Sequence, residues 1–119
     1  MKKLIYCFDL DNVLCKTPAS NYKKSKPIKR NINILSTLKK RGHYIKIFTA
    51  RYMGRNNENA EIVKKKYYRK IYNQLKKWKI NFDELIVGKP SYDYFIDDKC
   101  HNIKEKKTLM LIDRFIKKD

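Results

Sequence analysis

Two histidines, three cysteines and one tryptophan in 119 residues leave little material for soft-metal or thiol chemistry. Neither His43 nor His101 has a partner at the spacing of a zinc site. Cys7, Cys15 and Cys100 are odd in number and far apart, which argues against a disulfide framework and reads as reduced thiols of a cytoplasmic protein. Long apolar runs are also lacking. No stretch approaches the ~20 residues of a membrane helix, so no membrane partner is expected. The run after Lys2-Lys3 is too short for a secretory leader before it meets Asp9. No internal repeat and no low-complexity linker divides the chain, so residues 1–119 read as one domain large enough for one core. Acidic residues are scarce as well, 12 against 30 lysines and arginines, for a net charge of +18. The lysines are scattered (Lys23-Lys24, Lys39-Lys40, Lys64 to Lys66, Lys76-Lys77, Lys106-Lys107, Lys117-Lys118), whereas a dedicated nucleic-acid surface gathers them on one face. With only three glycines and many Tyr, Asn and Ile residues, the pattern fits the compositional bias of an AT-rich genome. Nucleic acid is therefore not the favoured partner, although a positive field of any origin speeds capture of anionic phosphate esters.

Against these absences, residues 4–14 stand out: Leu-Ile-Tyr-Cys-Phe-Asp-Leu-Asp-Asn-Val-Leu. An apolar run suited to a buried strand ends at Asp9 and Asp11. The loop beyond the strand end can turn both carboxylates into one pocket, where they repel unless a cation lies between them or one takes a proton. Mg²⁺ suits such a place, since it takes one or two carboxylates plus phosphate and water. Alone, Asp-x-Asp serves equally well as a strand-end turn. Three further runs end in the same manner: Tyr44 to Phe48 before Thr49-Ala50-Arg51, Glu84 to Gly88 before Lys89-Pro90, and Tyr92 to Ile96 before Asp97-Asp98-Lys99. Ligands of open parallel sheets bind beyond the carboxyl ends of strands, so these ends can converge on one crevice.

In that order, Asp9-Leu10-Asp11-Asn12-Val13, Thr49, Lys89 and Asp97-Asp98 resemble the four motifs of the haloacid dehalogenase (HAD) superfamily of phosphotransferases. The Phe-Thr-Ala-Arg and Ile-Asp-Asp-Lys wording and the small size are similar to the capless phosphatases of bacterial capsular-polysaccharide gene clusters. The resemblance implies a HAD-like Rossmannoid α/β fold, a three-layer sandwich with a central, mostly parallel sheet and no cap domain. It implies a Mg²⁺-dependent phosphomonoesterase. Asp9 would be the nucleophile, forming an aspartyl-phosphate, and Asp11 the general acid and then base. Mg²⁺ would be held by the Asp9 carboxylate, the Asp11 backbone carbonyl and Asp98, with Asp97 acting through water. Thr49 would bond a phosphoryl oxygen and Lys89 would pair with both phosphate and Asp9. The amides of Leu10, Asn12 and Ala50 would complete the cradle.

A small phosphorylated metabolite, in capsule or cell-surface precursor synthesis, is the expected substrate. A nucleotide or polynucleotide 3′-phosphatase is the alternative enzyme, and a basic binding or regulatory module on the same fold is the non-enzyme alternative. The sequence predicts strands near 3–9, 44–49, 84–88, 93–97 and 108–112, helices near 28–41 and 57–79, a polar loop over 15–27 and a short turn or helix near 100–105. The second helix carries Ala60, Val63, Tyr67, Ile71, Leu75 and Trp78 as one stripe. Neither the 15–27 loop nor the second helix can fold as a cap, so the site should be open, leaving specificity to large substrates or a homo-oligomer's neighbouring subunit. The 15–27 loop and the segment Arg51 to Asn57 are the expected rims. Arg51 is the expected substrate contact, since its planar fork suits a second phosphate or a carboxylate. Tyr52 suits stacking on a sugar or base, or packing.

Overall fold

The computed structural model describes residues 3–105 and residue 108. The apolar runs become parallel strands. β1 (Ile5–Phe8) pairs with β4 (Tyr44–Thr49), which pairs with β5 (Glu84–Val87), giving the order β1-β4-β5. Two helices make the crossovers, α1 (Lys29–Lys40) between β1 and β4, and α2 (Ala60–Lys77) between β4 and β5. This is a Rossmann-like α/β arrangement. Among the described residues no helix is long and apolar enough to cross a membrane.

The helices follow their apolar spacing. Ile32, Leu35 and Leu38 of α1 are buried, as are Val63, Ile71 and Leu75 of α2. They meet the sheet face bearing Phe8, Ile45, Ile47 and Leu85, and these residues form one core. Gly42, at φ +91°, turns the chain out of α1 into β4, and the Asn59 side chain caps α2 by accepting from the Ile62 amide. Asp83 ties the layers together. Its Oδ2 accepts from the Ile45 amide at 2.7 Å, and its Oδ1 pairs with Lys39 of α1 at 2.5 Å.

The opposite face is less covered. On β1, Ile5 is 67% exposed and Cys7 is exposed, and among the described strands β1 is an edge. Three sequence expectations change here. The 15–27 loop is a small ribbon, β2 (Cys15–Lys16) antiparallel to β3 (Lys26–Pro27), with single 3-10 turns at Pro18–Ser20 and Tyr22–Lys24. Ala60 is exposed rather than part of the buried stripe. The strand expected over 93–97 does not form: among the described residues the segment has no strand partner, Tyr94 is 86% exposed and Ile96 93%. Residues 103–105 make a turn. Of the strand expected over 108–112, Thr108 is helical and buried, and 109–112 lie outside the described residues.

Candidate active site

The carboxyl ends of the three parallel strands open into one cleft of about 370 Å³, whose lining includes Asp9, Asp11, Asn12, Ala50, Arg51 and Lys89. β1 ends at Phe8, and the next residues turn tightly. The amides of Val13, Leu14 and Cys15 all converge on the Leu10 carbonyl, and Asn12 takes φ +66°, a left-handed conformation that Asn tolerates well. Leu10 is fully buried and anchors this turn, so Asp9 and Asp11 face the cleft on either side of it.

Asp9 accepts from the Leu10 amide at 2.7 Å, and its Oδ2 lies 3.6 Å from Lys89 Nζ. Lys89 arrives there because β5 runs beside β4: its amide donates to the Thr49 carbonyl at 3.2 Å. The Lys89 ammonium is almost buried, with the rings of Phe48, Tyr92 and Phe95 around it. Burial pushes the Asp9 carboxyl up from its ordinary value, the Asp11 charge adds to this, and Lys89 and the Leu10 amide oppose it. Burial pulls Lys89 down, but its bond to Tyr92 and the Asp9 charge outweigh that and hold it above its ordinary value. At 3.6 Å the pair is loose, enough to keep the ammonium charged but not enough to cancel the burial of Asp9. Thr49 is fully buried at the end of β4, where its Oγ1 accepts from the Arg51 amide at 3.2 Å.

Arg51 does not stand on the rim. It is 2% exposed, and its fork grips Asp11, with Nε 3.0 Å from Oδ2 and Nη2 2.9 Å from Oδ1. Its other contacts are Gln74 of α2, Ser25 of the ribbon and the Cys15 thiol. Thr17 donates to Asp11 from the ribbon side. Asp11 is thus held by Arg51 from the end of β4 and by Thr17 and Cys15 of the ribbon, and Arg51 acts on it rather than reaching freely into solvent. Tyr52 is packed too: it is buried, stacked on Tyr67 at 3.9 Å and edge-on to Tyr22. It does so at φ +66°, a costly conformation for a bulky side chain that persists because the aromatic stack over-determines it. That strained residue directly follows Arg51 and helps fix its direction. Cys15 is buried beside Asp11, and burial pushes its thiol up, which disfavours a reactive thiolate.

Thr17, Ser25, Gln74, Ser91 and Tyr92 belong to the site or its support and carry no recognisable signal in the sequence. Asp97 and Asp98 are exposed and do not line the cleft, and His101 is likewise exposed. Among the described residues no group of three or more His, Cys, Asp or Glu side chains is placed to hold a metal. Asp9 and Asp11 line the cleft, but neither acid of the expected fourth motif does. The single-chain donor set therefore falls short of the expected one.

No family model and no curated protein matches the chain. Two solved structures do. One is the crystal structure of an MCSG target from Vibrio cholerae, 29% identical, covering 98% of each chain at a TM-score of 0.81. The other is a chain in the Pnkp1/Rnl/Hen1 complex, 25% identical over 92% of this chain and 33% of that one, at a TM-score of 0.50. The chain is similar to the first over its whole length and to the second over a third of that chain's length.

Proposed function

We propose that this protein is a phosphomonoesterase of the HAD type, acting on a small phosphorylated metabolite. The observation that carries the reading is Asp9 at the end of β1, within 3.6 Å of the buried Lys89 ammonium, in a cleft at the carboxyl ends of parallel strands. In this reading an Asp9 oxygen attacks phosphorus and the P–O bond to the alcohol breaks. Asp11 gives the departing oxygen its proton, then takes one from the water that cleaves the aspartyl-phosphate and frees inorganic phosphate. Lys89 offsets the charge that builds on the phosphoryl oxygens, and the backbone at Ala50, which lines the cleft, orients them. The Leu10 amide is already given to Asp9 and the Asn12 amide to the Cys15 carbonyl, and Thr49 is fully buried with its hydroxyl oxygen accepting from the Arg51 amide. Arg51 sets the direction of Asp11 and is a positioning residue. Mg²⁺ is the metal this chemistry calls for, and Asp9 and the Asp11 carbonyl would hold it. Capsule or cell-surface precursor synthesis, in the cytoplasm, is the setting that the wording of the motifs supports.

A polynucleotide 3′-phosphatase is the second reading. The row of exposed cations on α2 favours it, and the chain is similar to a chain of the Pnkp1/Rnl/Hen1 complex.

The test is phosphate release from sugar phosphates, polyol phosphates, nucleotides and 3′-phosphorylated DNA, with and without Mg²⁺, beside an Asp9→Asn variant. Turnover of one class should need the metal and fall in the variant on the order of 10³-fold or more. Turnover that survives Asp9→Asn, or none on any phosphoester, would sink the reading.

A further inference from the structure

We infer that the acids of the fourth motif complete the site of a second copy of this chain, the segment 93–98 of each copy adding to the β1 edge of the other. The inference rests on the phosphatase reading for the purpose of those acids, but its geometry is independent of it. Tyr94 and Ile96 are 86% and 93% exposed in a chain whose other apolar residues largely form one core. β1 is an edge among the described strands, with Ile5 67% exposed and Cys7 exposed beside it. An exposed apolar segment and a strand edge left unpaired among the described strands are complementary.

Direction then decides which copy can supply the segment. For Asp97 and Asp98 to reach Asp9, the segment must lie beside β1 and run parallel to it, so that both acids arrive at the carboxyl end. An antiparallel addition would leave them at the far end of the sheet. Within one chain the parallel arrangement is out of reach. Ser91 is held at the cleft, where its amide and hydroxyl donate to Glu58 at 2.8 and 2.9 Å, and Lys89 is held there by Thr49 and Asp9. From Ser91 to Asp93 the chain spans two Cα steps, at most about 7 Å. Descending four residues to the start of a strand beside β1 takes roughly 13 Å before any sideways travel. Parallel neighbours ordinarily need a crossover of about a dozen residues, and this chain has none there.

A second copy removes the obstacle, because the segment can leave its own core at Pro90-Ser91 and approach the partner's edge from below. The exchange is symmetric, each copy giving and receiving one strand. It gives up the contact of Phe95 with Lys89 and gains a paired edge and covered Tyr94, Ile96 and Ile5. Charge favours it too: Asp93, Asp97 and Asp98 are three of only 12 acidic residues, delivered to a core of strongly positive net charge.

Placing Asp97 level with Asp9 sets Phe95 opposite Cys7, at a separation a disulfide spans. The test is therefore the double variant Phe95→Cys, Cys100→Ser, oxidised with diamide, with Cys7→Ser added as control, beside sedimentation of the native protein. Expected are a native dimer and disulfide-linked dimers that vanish with Cys7→Ser. A sedimenting monomer, an intrachain disulfide or two thiols left free would overturn the inference. These readouts need no activity, so they decide the matter even if no phosphoester is turned over. Where the native protein is active, co-expressed Asp9→Asn and Asp98→Asn chains should regain about a quarter of native activity, since half the dimers would carry one intact site of two. No recovery above either variant alone would overturn the inference, with the phosphatase reading left standing.

Discussion

Asp11 shows how much of this site is held by residues that do no chemistry. Its carboxylate is gripped by the Arg51 fork, and Arg51 in turn is braced by Gln74, Ser25 and the strained, stacked Tyr52. A lysine in place of Arg51 would keep the charge but lose the fork and the link to α2. Arg51→Lys should lower kcat about 10- to 100-fold with little change in KM, since a misdirected acid costs rate more than binding. A raised KM at unchanged kcat would return Arg51 to the role of a substrate contact. Gly88 is the second such position. It sits at φ +91° just before Lys89, and a β-carbon there would lie 2.7 Å from the Ala60 Cβ. Gly88→Ala therefore meets both a disfavoured conformation and the start of α2. The expected cost is about 2 kcal/mol, or a fall in Tm of roughly 8 °C, read by thermal unfolding. Since the strain bears on the residue next to Lys89, activity should fall by more than the unfolded fraction explains.

At the level of the elements, Asp83 joins α1 to β4 just ahead of β5 through Lys39 and the Ile45 amide. Its bond to Lys39, its bond to the Ile45 amide and the nearby positive charges hold the carboxyl below its usual range, against a smaller effect of burial. A carboxyl lowered by folding adds stability above its unfolded value, and that stability is lost as pH falls through the folded one. Asp83→Asn should thus lower the Tm at neutral pH by roughly 4 °C, for a loss of about 1 kcal/mol. The gap to the native protein should close as the pH drops below the carboxylate range. A gap that stays constant with pH would assign the effect to packing. The strands β1, β4 and β5 were legible because each is a short apolar run bounded by polar residues, and the same ends place Asp9, Thr49 and Lys89. The grip of Arg51 on Asp11 was not, because it joins positions 40 apart and depends on a ribbon whose two-residue strands have no periodicity to read. The segment 93–97 failed for a different reason. Its local pattern is that of a strand, but a strand is defined by its partner, and the connection from Lys89 is too short to bring it to one within the chain.

For the whole molecule the deciding quantity is the charge of +18. Scattered along the sequence, it becomes partly gathered in the fold, where Lys64, Lys66, Arg69, Lys70 and Lys77 are all exposed on α2. A helix can gather cations on its outer side simply because its inner face is apolar, so the cluster does not by itself specify a nucleic-acid partner. The two substrate classes differ in what they ask of that field. A small phosphate ester places its charge at the cleft alone, so added salt weakens only long-range steering, and kcat/KM should fall less than about 10-fold between 50 and 500 mM. A polynucleotide lying across α2 would release a counterion at each neutralised phosphate. Its log–log slope would be roughly −0.7 per contact for a single strand, so four contacts would cost several hundredfold over the same range. The expected result is the shallow dependence for the preferred substrate, with kcat unchanged. A steep slope confined to KM on 3′-phosphorylated DNA, together with a smaller slope when Lys66 and Lys70 are both changed to Gln, would instead give the field a binding role. Those lysines lie outside the catalytic cleft, so the double change leaves turnover of a small ester as its internal control.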